Sequence, residues 1–134
     1  MKRKLDTILL IDDREEDNFL HTRNIKKTGF KGSILSIEAP EDAVKILTPQ
    51  NSNSILPDLI FLDINMPRIN GWELLEEYTS MAPMLKFLPI IYVLSTNDNL
   101  ENPNDPNSFL IPEENLLKPL TSLRFKEIVN LHFS

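Results

Sequence analysis

Thr7-Ile8-Leu9-Leu10-Ile11-Asp12-Asp13 is the stretch whose reading decides the fold. Its first five residues are apolar or β-branched with no polar alternate position. They suit a strand covered on both faces, as in a parallel sheet, and two carboxylates stop it. Working outward, segments of the same character recur at helix-sized intervals: Ser33–Ile37, Leu59–Leu62, Ile90–Leu94 and the brief Asn115–Leu117. Between the first two lies Arg14–Thr28, with Phe19, Leu20 and Ile25 at helical spacing and Gly29 at its close. Pro40–Leu47 reads as a second helix, with proline in its first turn and Glu41 and Asp42 at its positive end. Asn70–Met81 reads as a third. Thr121–Leu131 is the last, with Thr121 as N-cap and Leu123, Phe125, Ile128 and Val129 as apolar surface. Asn97–Pro112 carries three prolines and five asparagines, so a fourth helix there should be short or irregular. The alternation predicts an α/β fold: a doubly wound, five-stranded parallel sheet with flanking helices and right-handed crossovers.

Composition sets the limits. A chain of 134 residues, 41% hydrophobic and 25% charged, fits one domain over residues 1–134 with a core at about 5–132. No repeat, low-complexity tail or linker to an output domain interrupts it. Twenty acidic against fourteen basic residues give a net charge of −6, which argues against a nucleic-acid partner. Without cysteine there is no disulfide, thiolate or cysteine-ligated zinc chemistry. No run approaches the roughly 18 to 20 apolar residues of a membrane span, and the expectation is a cytoplasmic protein that neither crosses nor binds a membrane.

The strand candidates stop at residues able to do chemistry: Asp12 and Asp13, Asp63, Ser95 and Lys118. Each alone is ordinary, since an aspartate before a helix is usually a cap, and a lysine before a proline usually a solvated charge. In a parallel sheet, however, these ends share one edge, where such sheets place their ligands. Three carboxylates within about 4 Å would repel by roughly 4 kcal/mol per pair at an effective dielectric near 20, so the cluster takes up protons or a cation. Oxygen ligands without histidine or cysteine select a hard ion. Few carboxylates, with water and a phosphate oxygen completing an octahedron, describe Mg²⁺ better than Ca²⁺. His21 and His132 fall in helical segments and look unrelated to this edge. Lys118 and Ser95 beside the metal would serve a phosphoryl group, and Asp63 is the available nucleophile.

Ile11-Asp12-Asp13, Leu62-Asp63-Ile64-Asn65-Met66-Pro67-Arg68-Ile69-Asn70-Gly71, Ser95-Thr96 and Lys118-Pro119 together make the chain resemble the receiver domain of two-component response regulators, of flavodoxin-like fold, over nearly its whole length. The resemblance implies that Asp63 is the phosphoacceptor, that Asp12, Asp13, Asp63 and the main-chain carbonyl of Asn65 hold Mg²⁺, that Ser95 is the switch hydroxyl and that Lys118 is the phosphate partner. It further implies a cis Lys118–Pro119 bond. The phosphodonor would be a histidine kinase or a histidine phosphotransfer protein. Output would run through contacts of a monomer or weak dimer with a downstream protein, and activity would be limited to self-phosphorylation and self-dephosphorylation.

Two departures stand out. Asn115 occupies the position three before the lysine where the family usually has an aromatic residue, so the usual coupled movement of hydroxyl and ring is not assured. The proline-containing stretch replaces the fourth helix. Thr96 stands where many members have a smaller residue and is expected to hinder hydrolysis of the acyl phosphate. Two other readings compete. One is a receiver-like interaction module that signals without phosphate. The other is an aspartate-nucleophile phosphatase, against which Asn65 stands where a second aspartate is expected. Flavin binding is disfavoured by the repulsion of Asp12 and Asp13 for a flavin phosphate.

Overall fold

The computed structural model describes residues 3–39, 42, 57–64, 89–96 and 114–134. The helices predicted at Pro40–Leu47 and Asn70–Met81 fall outside these residues but for Asp42, as do the irregular stretch Asn97–Pro112 and Asn65. Five strands are described: β1 (Thr7–Ile11), β2 (Ser33–Ile37), β3 (Leu59–Asp63), β4 (Ile90–Ser95) and β5 (Glu114–Leu117). Two helices accompany them, α1 (Glu15–Lys26) and α2 (Ser122–His132). All strand pairs are parallel, in the order β2-β1-β3-β4-β5. This is the doubly wound order of the flavodoxin type, with its switch point between β1 and β3.

Register follows from the apolar runs. Ile8 to Ile11 pair with Leu59 to Leu62, and Leu59 to Asp63 pair with Ile90 to Leu94. Alternate strand residues Ile8, Leu10, Leu59, Phe61, Tyr92, Leu94 and Leu116 join Ile25 of α1 and Phe125 and Ile128 of α2 in one core. Residues of opposite parity, Leu9, Ile11, Ile60, Leu62, Ile91 and Val93, are buried as well, which is why these strands read as unbroken apolar runs. The Phe61 ring lies 6.1 Å from Tyr92 and 6.4 Å from Phe125, so three large side chains tie β3, β4 and α2 together. Burial of each stabilises the fold by roughly 1.5 to 3 kcal/mol. Tyr92 satisfies its hydroxyl on His132 Nε2 at 2.7 Å.

Thr121 caps α2 as its position predicts, accepting from the amide of Arg124 at 3.1 Å. Gly29, at φ +91°, turns the chain out of α1 in a conformation that side-chain-bearing residues rarely adopt. Helix faces depart from the apolar spacing. Phe19 and Leu123 are about seven-tenths exposed, and Leu20 is exposed too. The face that α1 buries is instead Asn18, His21 and Ile25. Near its N-terminus this helix packs beside a polar sheet edge, so an apolar inner face would leave that edge's donors and acceptors unmatched.

At the opposite edge, Arg3 forms a parallel bridge with Phe133, donates to the carbonyl of Asp58 at 2.7 Å, and sets its guanidinium 5.9 Å from the Phe133 ring centre. Among the described residues no helix is long and apolar enough to cross a membrane.

Candidate functional site

The site grows from the carboxyl ends of β1, β3, β4 and β5. Asp12 follows β1 and is held against the end of β2 by its amide, which donates to the carbonyl of Ile37 at 3.0 Å. Its Oδ1 accepts from the amide of Arg14 at 3.0 Å, and its carbonyl accepts from Asn18 Nδ2 at 3.0 Å. Both contacts fix the entry into α1 and leave Oδ2 facing elsewhere. Asp63 is the last residue of β3, in register with Leu94, and Ser95 is the last residue of β4. Asp12, Asp63 and Ser95 are all nearly inaccessible, at 2%, 2% and 1% exposure. A buried carboxylate is costly unless paired, so burying two of them together calls for compensation.

Lys118 supplies it. Its amide donates to the carbonyl of Ser95 at 2.7 Å, which pins the turn after β5 to the end of β4, and the Lys118–Pro119 peptide is cis as expected. The ammonium then reaches Asp12 Oδ2 at 2.7 Å, Asp17 Oδ2 at 2.9 Å and Asp63 Oδ2 at 3.4 Å. Burial pulls the Lys118 ammonium down, but hydrogen bonds to Asp12 and Asp17 and the charges of Asp63 and Asp12 outweigh it, so its pKa lies above the usual lysine value. For Asp17, burial pushes the carboxyl up. The Lys118 hydrogen bond and the charges of Lys118, Arg14 and His21 prevail and hold it below the usual carboxylate value.

Asp12, Asp13 and Asp63 each offer a carboxylate oxygen, and these lie within 4.8 Å of one another. Opposite ligands of a Mg²⁺ octahedron stand about 4.2 Å apart at the usual metal–oxygen length, so small adjustments bring the three onto one such ion. The all-oxygen donor set suits a hard divalent cation, and three protein ligands leave positions for water, as Mg²⁺ prefers. Asn65, expected to add a carbonyl, lies outside the described residues. The arrangement therefore brings Asp12, Asp13, Asp63 and Lys118 together, and puts Ser95 at the end of the strand next to Asp63.

Three residues of α1 escaped the reading of the strand ends. Asp17 takes Lys118. Asn18 is buried and donates to Asp12, while its Oδ1 has no hydrogen-bond partner among the described residues. His21, which looked unrelated, is 2% exposed. Its burial, then the charge of Lys118, depress the imidazole against the opposing pull of Asp12 and Asp17. Asp17, Asn18 and His21 fall on one helical stripe, so the signal lies in their spacing, but the stripe is polar and hydrophobic periodicity does not mark it.

The description that fits the chain as a family is "Response regulator receiver domain", matched over residues 8–105, a span that takes in Asp12, Asp13, Asp63 and Ser95 and stops before Lys118. Response regulator Rcp1 of Synechocystis is 33% identical over 94 residues, covering 69% of this chain; the chain spans only 63% of Rcp1's length. A probable methanogenesis regulatory protein, FilR2 of Methanothrix harundinacea, is 29% identical over 128 residues, 91% of this chain and 77% of FilR2. The crystal structure of a two-component response regulator from Cytophaga hutchinsonii superposes with a TM-score of 0.76 at 31% identity, covering 96% of this chain and 97% of the other.

Proposed function

The chain belongs to the response regulator receiver domain family of two-component signalling, and on that premise we propose that it accepts a phosphoryl group on Asp63 from a histidine kinase or histidine phosphotransfer protein, with Mg²⁺, and signals through protein contacts. The observation that carries this is the buried Asp63 carboxylate at the end of β3, 3.4 Å from the Lys118 ammonium and sharing its cluster with Asp12 and Asp13.

In the reaction, an Asp63 carboxylate oxygen attacks phosphorus in line. The P–N bond of the donor phosphohistidine, or the P–O bond of a small acyl phosphate, breaks as the new P–O bond forms. The leaving group departs with the bonding pair and its proton demand is met by solvent. Lys118 is the counter-charge for the phosphoryl oxygens, and the Ser95 hydroxyl is their hydrogen-bond donor. Asp12, Asp13 and Asp63 would hold Mg²⁺, which supplies neutralisation of charge on the transferring group. The acyl phosphate puts up to two negative charges at a buried edge where the carboxylate had one. By re-engaging Lys118 and Ser95, it shifts a two-state equilibrium of the surrounding surface.

Incubation with Mg²⁺ and acetyl phosphate, read by intact mass, should give a single labile phosphoryl adduct that is lost in Asp63→Asn. Absence of the adduct, under conditions where another receiver reacts, would assign a phosphate-independent interaction module. Sustained turnover of a phosphate ester would assign a phosphatase.

A further inference from the structure

Lys118 has three carboxylate partners, and they are not equivalent. Asp12 Oδ2 and Asp17 Oδ2 lie at 2.7 and 2.9 Å, within the range of a charge-assisted hydrogen bond, whereas Asp63 Oδ2 at 3.4 Å is beyond it. The ammonium is thus anchored on Asp12 and on α1 rather than on the residue that receives phosphate. Its two close partners differ in turn. The Asp12 side chain is 3% exposed and that of Asp17 is 25% exposed. Detaching Lys118 from Asp12 would strand a carboxylate away from water. Detaching it from Asp17 would not, because Asp17 is open to solvent and Arg14 Nε already lies 3.9 Å from the same Oδ2.

A phosphoryl group on Asp63 carries more charge than the carboxylate it replaces and projects its oxygens beyond it, so the ammonium must move toward it. Of the two ties that hold Lys118, the one to Asp17 yields more easily. Asp17 belongs to the first turn of α1, where its amide and that of Asn18 both donate to the carbonyl of Arg14. That turn is fastened to the sheet edge by two polar links, Lys118 to Asp17 and Asn18 Nδ2 to the Asp12 carbonyl.

We propose that Asp17 is a positioning residue that holds Lys118 on the first turn of α1 and competes for it with the phosphoryl group on Asp63, so that phosphorylation loosens that turn. This rests on the reading of Asp63 as phosphoacceptor. Asp17 slows formation of the acyl phosphate, because part of the lysine's interaction with α1 is surrendered on the way to the transition state, and it couples the chemistry to α1.

The test uses the full chain with saturating Mg²⁺ and acetyl phosphate. Acetate leaves as the P–O bond to Asp63 forms, and the adduct is timed by intact mass in the parent, Asp17→Asn and Asp17→Glu. Asp17→Asn should form the adduct faster by roughly two- to fivefold, the range set by a partly exposed ion pair, and Asp17→Glu should return the parental rate. Amide exchange supplies the second reading: protection at Asp17 and Asn18 should fall when the parent is phosphorylated and should not change further in Asp17→Asn. A merely structural Asp17 would lower the melting temperature without accelerating the adduct. An unchanged or slower rate in Asp17→Asn, or protection in the parent that is indifferent to phosphorylation, overturns the inference while the adduct at Asp63 leaves the functional reading standing. A parent that takes no adduct at all overturns both.

Discussion

Lys118 and Asp12 meet at 2.7 Å across 106 residues of chain, with their side chains 11% and 3% exposed. A pair this dry is held by its geometry, and breaking it by removing one partner costs far more than the same change at a surface. Among the described residues one ammonium faces Asp12, Asp17 and Asp63, with Asp13 close by, so these groups together keep a net negative charge with the lysine in place.

Mg²⁺ should therefore stabilise the fold as well as serve chemistry. At about a hundredfold excess over Kd, a ligand that binds only the native state contributes about 2.7 kcal/mol, or roughly 10 °C in Tm for a domain of this size. Adding a chelator should reverse the gain. A melting curve of Asp63→Asn should show a smaller response to Mg²⁺ than the parent, and an equal response would place the ion elsewhere.

Lys118→Met should lower stability by about 3 kcal/mol in the absence of divalent cations, because Asp12 and Asp63 are left buried without their counter-charge. Loss of a competing cation should at the same time tighten Mg²⁺ binding. Urea unfolding with and without Mg²⁺ tests both, and the variant should regain a larger share of its stability from the ion than the parent does.

The depressed imidazole of His21 sets the pH response near neutrality. As pH falls through the ordinary value of 6.5, the unfolded chain takes up a proton that the folded state resists. Stability should then fall, by at most about 1.4 kcal/mol per pH unit. Asp17, held low, contributes stability that is present above its ordinary 3.8 and lost as pH drops below it. Lys118, held high, contributes stability that is lost only as pH rises beyond 10.5. Of these three groups, only His21 responds in the window from 6.5 to 5. Denaturation midpoints across it should be flatter in His21→Gln, and an unaltered slope would assign the dependence to another group.

Thr96 follows the buried Ser95 and is itself exposed, at the rim where solvent meets the strand end. Trimming it in Thr96→Ala should ease the approach of water to the acyl phosphate and shorten the life of the adduct, which a decay series by intact mass will show. An unchanged decay would remove Thr96 from any part in the lifetime.

The strand ends were readable because a parallel sheet imposes two simple demands. Its strands must be apolar on both faces, which marked Thr7–Ile11 and Leu59–Leu62, and its carboxyl ends must gather at one edge, which placed Asp12, Asp63 and Lys118 together although they are distant in sequence. Asp63 and Ser95 lie inside their strands rather than just after them, a shift of one residue that boundary signals do not resolve. Helix α1 was harder. Phe19 and Leu20 look like an inner face by spacing, yet Asn18 and His21 occupy it, because what an inner face must be depends on what it meets. At this edge it meets an acid cluster and a lysine, so hydrophobic periodicity misleads there and the same polar pattern becomes a marker of the site.

The clasp of Arg3 with Phe133 has a practical side. It joins the start of β3 through Asp58, five residues and therefore about 16 Å from Asp63 along the strand. A dye attached to the exposed Lys4 would report when the whole domain comes apart yet stay blind to events at the acidic rim, giving experimenters an internal reference for every ligand or donor they add.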